Sequence, residues 1–460
     1  MWTKSEDSCL AWLVCMGAFI TLAGVIGIDN SFGIVIDVII TQFDSSTSRV
    51  SWIQSTHSTF MFLFAFISSV VLKKCGLRVI ILSGTLICCT SYIVCAFFKN
   101  YVVLIIFYGI AGGVGSGLLF TAGNIACFKY FKTYETLASG IAMSGTGFGM
   151  IMISLACSFA VINFGYIGYF ITLSIISSLS SLFALFAFEL RSDNQDTNEE
   201  QIDRVVNPSL TSLPSLRSKS VPARNRSYES LDSVSFKDES VSMKKCEQKA
   251  NFQEATMKKV VLLMKDKRLF CYCLVHVLFE LAYYVPVNFL PEMMKDNGTS
   301  KQQANTIISL IGIFILVSKW IVALILRYFK PNPILLSSIT MTLLGACYVL
   351  YPLCSTYKCY VAVTSIYGIS ISSIDMLIPF IILNFFDAER LDEGFGLVML
   401  TKALIPLWGS PISEALRDWT GNYDLTFYTA GCALFIGGFI NVMIYWIPSK
   451  TIETDSIEDK

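Results

Sequence analysis

Long apolar stretches separated by short polar segments dominate the 460-residue chain. Each is near the ~20 residues that an α-helix needs to cross a bilayer's hydrocarbon. The pattern predicts spans at 9–40, 51–72, 79–98, 101–127, 135–161 and 165–189, then at 269–291, 304–328, 333–353, 358–386, 394–417 and 425–447. The expected fold class is therefore an all-α membrane protein with twelve transmembrane helices. Between the two sets the character changes: residues 191–264 are rich in Ser, Lys, Arg, Glu and Asp and carry Pro208, Pro214 and Pro222. Such a segment buries too little apolar surface to offset its ordering entropy and reads as a disordered loop, although Met257 to Met264 are expected to begin a helix. The expected organisation is an N-terminal six-helix bundle (1–190), a cytoplasmic loop (191–264), a C-terminal six-helix bundle (265–448) and a cytoplasmic tail (449–460).

The two sets echo each other. Tyr108-Gly109-Ile110 recurs as Tyr367-Gly368-Ile369, and Gly140-Ile141-Ala142-Met143 as Gly396-Leu397-Val398-Met399, at nearly equal offsets. Parallel pseudo-repeats about an axis along the membrane normal give such offsets. Basic residues set the orientation. Lys73, Lys74, Arg78, Lys129, Lys132 and the Lys258 to Arg268 region lie on one side, which the positive-inside rule makes cytoplasmic, together with both termini. The sequon at Asn297 then falls outside and is a candidate for glycosylation, whereas that at Asn225 is cytoplasmic and silent. The first apolar stretch has no basic leader or small-residue cleavage site and reads as a retained span.

Composition narrows the function. The chain is 54% hydrophobic and 15% charged with zero formal net charge, so it offers no dense basic face for nucleic acid. The cysteines are scattered and form no metal-ligand spacing with histidine. Most read as small packing residues, while Cys354 and Cys359 flank a short loop and are placed to pair if that loop is extracellular. The glycines from Gly109 to Gly117 lack the Lys-Ser/Thr and the preceding strand of a phosphate-cradling loop. No catalytic triad, metal site or cofactor motif is evident. An enzyme is not expected, and energy must come from a gradient.

Four stretches resemble the major facilitator superfamily and, within it, the monocarboxylate transporter family. They are Ser48 to Ile53; the turn Lys73-Lys74-Cys75-Gly76-Leu77-Arg78; Tyr130-Phe131-Lys132-Thr133-Tyr134-Glu135 through Gly140 and Gly145 to Gly149; and Asp418 to Gly431. The resemblance implies two six-helix halves, alternating access, a plasma-membrane location and a single-span glycoprotein escort as partner. It marks Gly76, Arg78, Tyr130, Phe131, Gly140, Gly145 and Pro286 as conformational positions. The departures are equally specific. The acidic-glycine-tryptophan signature before span one survives only as Asp7, Ala11 and Trp12. The span-one lysine of proton-coupled lactate carriers is Asn30, and the aspartate–arginine pair of span eight is Ile315 and Lys319. A different cargo follows as readily as lactate: a small organic anion or an amino acid, aromatic ones included.

Ionisable groups at mid-depth carry the chemistry. A lysine at a helix centre costs ~2.5–3.5 kcal/mol on insertion scales, so it usually faces an aqueous cavity or the bundle interior. Lys319 is such a residue, expected to hold a substrate carboxylate or to pair with Asp29, Glu280 or Asp375. In the implied fold spans one, four, seven and ten line the cavity, which makes Asp29, Asn30, Asp375, Tyr283 and Tyr284 further substrate-binding candidates. Glu280 stands one turn from His276, so the two are expected to share a face and exchange a proton. Pro286 frees a carbonyl at a candidate hinge. Lys402 and Asp37 read as helix-end residues that snorkel, and His57 as a satisfied helix-end histidine.

Overall fold

The computed structural model describes residues 7–44, 47–186, 263–386, 388–403, 405–408 and 423–447. Residues 191–262 of the expected loop 191–264, the tail, the sequon at Asn225 and the stretch Asp418 to Asn422 lie outside the described residues. So do the side chains of Asp37, Lys74 and Tyr284. Ten long helices follow in order: α1 (Cys9–Phe43), α2 (Thr47–Phe97), α3 (Gly113–Tyr130), α4 (Glu135–Phe186), α5 (Lys267–Asp296), α6 (Lys301–Tyr328), α7 (Pro333–Leu350), α8 (Tyr357–Phe385), α9 (Leu391–Ala403) and α10 (Asp424–Trp446). No strand occurs among the described residues. Nine stretches among them are long and apolar enough to cross a membrane. Large apolar side chains such as Ile162, Phe164 and Phe439 stand exposed on these helices, as a lipid-facing surface requires.

The longest helices each contain two expected spans. Gly76 breaks α2 with φ 71° and ψ 162°, and Gly165 breaks α4 with φ 61° and ψ −145°. Both lie in the left-handed half of backbone space, where a Cβ is strained, so glycine sets the corner. This gives the turn 73–78 its glycine for a physical reason. Ahead of α3 runs a π-helical stretch, Leu104–Gly112, of the wide-turned kind often found at functional sites.

Small residues set the helix crossings. A Cβ on Gly27 would meet the Gly149 carbonyl oxygen at 2.7 Å, and Gly145 and Gly149 abut the carbonyls of Phe19 and Ala23. Thus α1 and α4 touch backbone to backbone, as close packing in lipid demands. The same helix meets α6 on another side. A Cβ on Gly147 would lie 2.8 Å from the Gly312 carbonyl oxygen, and Gly140 abuts Ala323. The Gly140 to Gly149 signature therefore wedges α4 between its own half and the C-terminal half.

Two further contacts tie motif residues together. Asp7 accepts the amides of Thr133 and Tyr134 at 3.0 and 3.3 Å, while Trp12 packs edge-on against Phe131. Burial pushes the Asp7 carboxyl up, but the bonds from Thr133, Tyr134 and Lys132 outweigh it and hold the group below its ordinary value. Pro286 does not break α5. The carbonyl it frees, that of Ala282, accepts the buried Tyr348 hydroxyl at 2.6 Å, so the helix runs on.

Candidate functional site

One cavity among the described residues draws its wall from both halves. The N-terminal half contributes Asp29 and Asn30 from α1, Phe62 from α2, Asn124 from α3 and Thr146 from α4. The C-terminal half contributes Glu280 and Tyr283 from α5, Lys319 from α6, Asp375 from α8 and Lys402 from α9. About 70 Å³ is open to the centres of water-sized molecules, room for a few waters or the polar end of a small solute. Apolar walls from Phe120, Phe395 and four methionines complete it.

Lys402 organises the C-terminal wall. Its Nζ lies 3.1 Å from Glu280 Oε2 and 3.1 Å from Asp375 Oδ1, with the Phe62 and Phe279 rings 5.1 and 5.3 Å away. The Lys402 and Glu280 side chains are 4% and 1% exposed, so this lysine does not snorkel. Sequence position misled here. Lys402 lies near the end of α9, whose described part is only 13 residues long, and that end points inward.

The expected Glu280–His276 couple does not form. Glu280 is committed to Lys402, whereas His276 is buried edge-on against Tyr272 at 4.7 Å, both nitrogens lacking a hydrogen-bond partner among the described residues. One helical turn of spacing allowed the pairing, but the nearer lysine of another helix took the carboxylate. Lys319 differs from Lys402. It is 3% exposed, lines the cavity, and has neither a hydrogen bond nor an ion pair within 4.0 Å among the described residues. Asp375, which lines the same cavity, is paired with Lys402.

On the N-terminal wall, Asp29 Oδ1 accepts Gln54 Nε2 at 2.8 Å and Ser58 Oγ at 2.9 Å. No lysine or arginine pairs with Asp29 among the described residues, so the alternative pairing of Lys319 with it is not observed. Asn30 lines the cavity while its amide donates to the Ile26 carbonyl at 2.9 Å. His57 is no helix-end residue. It is fully buried ten residues inside α2 and stacked on Tyr108 at 4.8 Å. Tyr283 lines the cavity.

The halves also join at the end that carries the basic turn. Lys73 Nζ reaches Glu393 at 2.7 Å, and Lys129 Nζ reaches Asp392 at 3.0 Å. Both carboxylates open α9, where the helix N-terminus favours negative charge. At other loops, Asn297 caps α5 and donates to the Tyr360 hydroxyl at 2.9 Å, and Cys354 is joined to Cys359 across a 5.5 Å Cα separation. No cluster of metal-ligating side chains occurs among the described residues.

Residues 10–262 and 272–460 match the Major Facilitator Superfamily. The chain belongs to this superfamily. It is an integral multi-pass membrane transporter of small molecules, not an enzyme. Among its relatives are monocarboxylate transporter 2 of Rattus norvegicus (23% identical over 99% of this chain and 87% of the relative) and of Homo sapiens (24%, 95% and 87%). Monocarboxylate transporter 1 of Bos taurus is 23% identical over 99% of this chain and 88% of that protein. The chain is thus a divergent superfamily member similar to monocarboxylate transporters. Its fold matches the solved proton:xylose symporter XylE with a TM-score of 0.68 at 12% identity, covering 96% of this chain and 97% of that one. That likeness shows the superfamily fold alone.

Proposed function

We propose that this protein carries a small carboxylate-bearing solute across the plasma membrane by alternating access, with proton symport as the driving step. The observation that carries the reading is Lys319. An ammonium enclosed at mid-depth, without an ion-pair partner among the described residues and facing a cavity shared by both halves, lacks the solvation that a bound carboxylate supplies. The names of the relatives, monocarboxylate transporters 1 and 2, support the same cargo class. Asn30, also in the cavity wall, offers a polar contact, and Tyr283 a further one. Alternating access is supported by a site walled by both halves and by ion pairs that latch them at the basic end. Both termini are cytoplasmic in this reading, with the Asn297 and Cys354–Cys359 loops outside.

The deciding experiment is counterflow in proteoliposomes with radiolabelled pyruvate as the probe, repeated with an aromatic amino acid. Lys319→Ala is expected to lower exchange at least tenfold at unchanged protein incorporation. Undiminished exchange removes Lys319 from cargo binding. The absence of flux for every carboxylate in wild type points instead to a transporter-like sensor.

A further inference from the structure

One ammonium in the cavity wall serves two carboxylates, and it serves them unequally. Lys402 Nζ donates a hydrogen bond to Asp375 Oδ1 at 3.1 Å. It stands as near to Glu280 Oε2, also at 3.1 Å, but without hydrogen-bond alignment. Glu280 Oε1 has no hydrogen-bond partner among the described residues. Solvent does not make up the difference, because the Glu280 side chain is 1% exposed whereas that of Asp375 is 34% exposed. Buried polar atoms are nearly always satisfied, so an enclosed carboxylate that accepts no hydrogen bond needs an explanation. Glu280 also lines the cavity, so whatever completes it can arrive by the cargo's own route.

The geometry points to Glu280 as the site that binds the coupling proton, with Lys402 as the cation that allows its release. The assignment rests on the proton-symport reading above. Two carboxylates on one cation repel each other, and a proton on the less solvated one relieves the repulsion. A hydronium ion in the cavity hands its proton to Oε1 and departs as water. An O–H bond forms, and Lys402 is left paired with Asp375 alone. When the cavity opens to the other side the proton returns to water, and the ammonium 3.1 Å from Oε2 steadies the carboxylate that remains. No electrons are exchanged.

Charge balance explains why cargo and proton travel together. The cavity wall sets two lysines, Lys319 and Lys402, against three carboxylates, Asp29, Glu280 and Asp375, so the empty site carries one net negative charge. A bound carboxylate alone doubles that charge in a poorly solvated space, whereas a proton on Glu280 restores the empty-state value. Empty and fully loaded carriers reorient at equal net charge, and the cargo-only carrier is held back. Beyond the trio, the ionisable groups of the wall are Asp29 from α1, Lys319 from α6 and Tyr283 from the helix of Glu280 itself. The parts of α2, α3 and α4 that line the cavity supply neutral side chains, and α10, also packed on α5, lends none. His276, one turn before Glu280, packs against Tyr272 and Phe279. Lys402 is therefore the one cation within 4.0 Å of Glu280 among the described residues.

Two measurements test the assignment. Glu280→Gln keeps the shape of the side chain and leaves Lys402 paired with Asp375, but it removes the oxygen that takes the proton. In proteoliposomes with a pH gradient it is expected to cut gradient-driven pyruvate accumulation more than tenfold and to abolish the proton movement seen with a trapped pH dye. Proton-coupled accumulation persisting in Glu280→Gln overturns the assignment, whereas exchange persisting in Lys319→Ala overturns only the cargo reading. The second measurement needs no transport. Infrared difference spectra of wild-type protein in lipid nanodiscs are expected to gain the C=O band of a buried carboxylic acid as the pH falls, and those of Glu280→Gln to lack that component. A wild type that gains no such band, or identical spectra from the two proteins, overturns the assignment whatever the cargo proves to be.

Discussion

Two buried lysines of this transporter have opposite situations, and the difference decides what each does. Lys402 answers two carboxylates at 3.1 Å each. Removing it leaves Glu280 buried and uncompensated, and breaking a buried pair by deleting one partner costs about 3–5 kcal/mol. Lys402→Ala is therefore expected to lower the thermal unfolding midpoint of the detergent-solubilised protein and to reduce its yield. Glu280→Gln in the same chain should recover part of the loss. Lys319→Ala, with no partner to strand, is expected to leave the midpoint unchanged or raised; a large drop there would show a structural lysine. Both lysines were visible in the sequence, Lys319 as a charge within an apolar run and Lys402 as a helix-end residue. Which was paired was not, because the partners of Lys402 stand 27 and 122 positions away on other helices. The couple expected from spacing within one helix, Glu280 with His276, lost to a contact between helices.

At the scale of helices, the glycine signature and the charged helix ends make separable predictions. Gly149 abuts the Ala23 carbonyl, whereas a Cβ on Gly33 meets nothing within 4 Å. Gly149→Val should prevent α1 and α4 from closing and leave little folded protein in size-exclusion profiles, while Gly33→Ala should express like wild type. Equal yields from the two would mean that the crossing is not packed this tightly. The Lys73–Glu393 and Lys129–Asp392 pairs have lysines about one-third exposed, so each is individually weak. They latch the halves only together. Replacing both acids, Glu393→Gln with Asp392→Asn, is expected to favour opening at that end. The measurement is faster modification of a cysteine introduced at Phe66 by a membrane-impermeant maleimide in inside-out vesicles. Restoring the charges in swapped order, Lys73→Glu with Glu393→Lys, should slow it again. Span positions were legible from apolar length alone; Gly76 was marked only by the family resemblance, and the left-handed corners at Gly76 and Gly165 emerged with the structure. The π-helical stretch before α3 was not legible, because its apolar residues read identically in an α-helix.

For the whole molecule, the prediction concerns sidedness. Asn297 and the Cys354–Cys359 loop meet through Tyr360, whereas the Lys73 and Lys129 pairs close the basic end. If the first end is extracellular, Asn297→Gln should remove a glycosidase-sensitive mobility shift in intact cells, and an unshifted wild type would argue against a glycan there. The sequence by itself determined that this chain is a membrane protein built of repeated apolar helices in the superfamily fold. It also marked the charges at mid-depth, because apolar run length and the desolvation of a charge are properties of one segment in lipid. Tertiary structure alone decided which charges meet. Lys402 was drawn inward by Glu280 and Asp375, Lys319 was left facing the cavity, and His57 was buried against Tyr108. Coulomb attraction and hydrogen bonding act over a few ångströms across helix crossings, and those distances exist only once backbones touch at Gly27, Gly145 and Gly149.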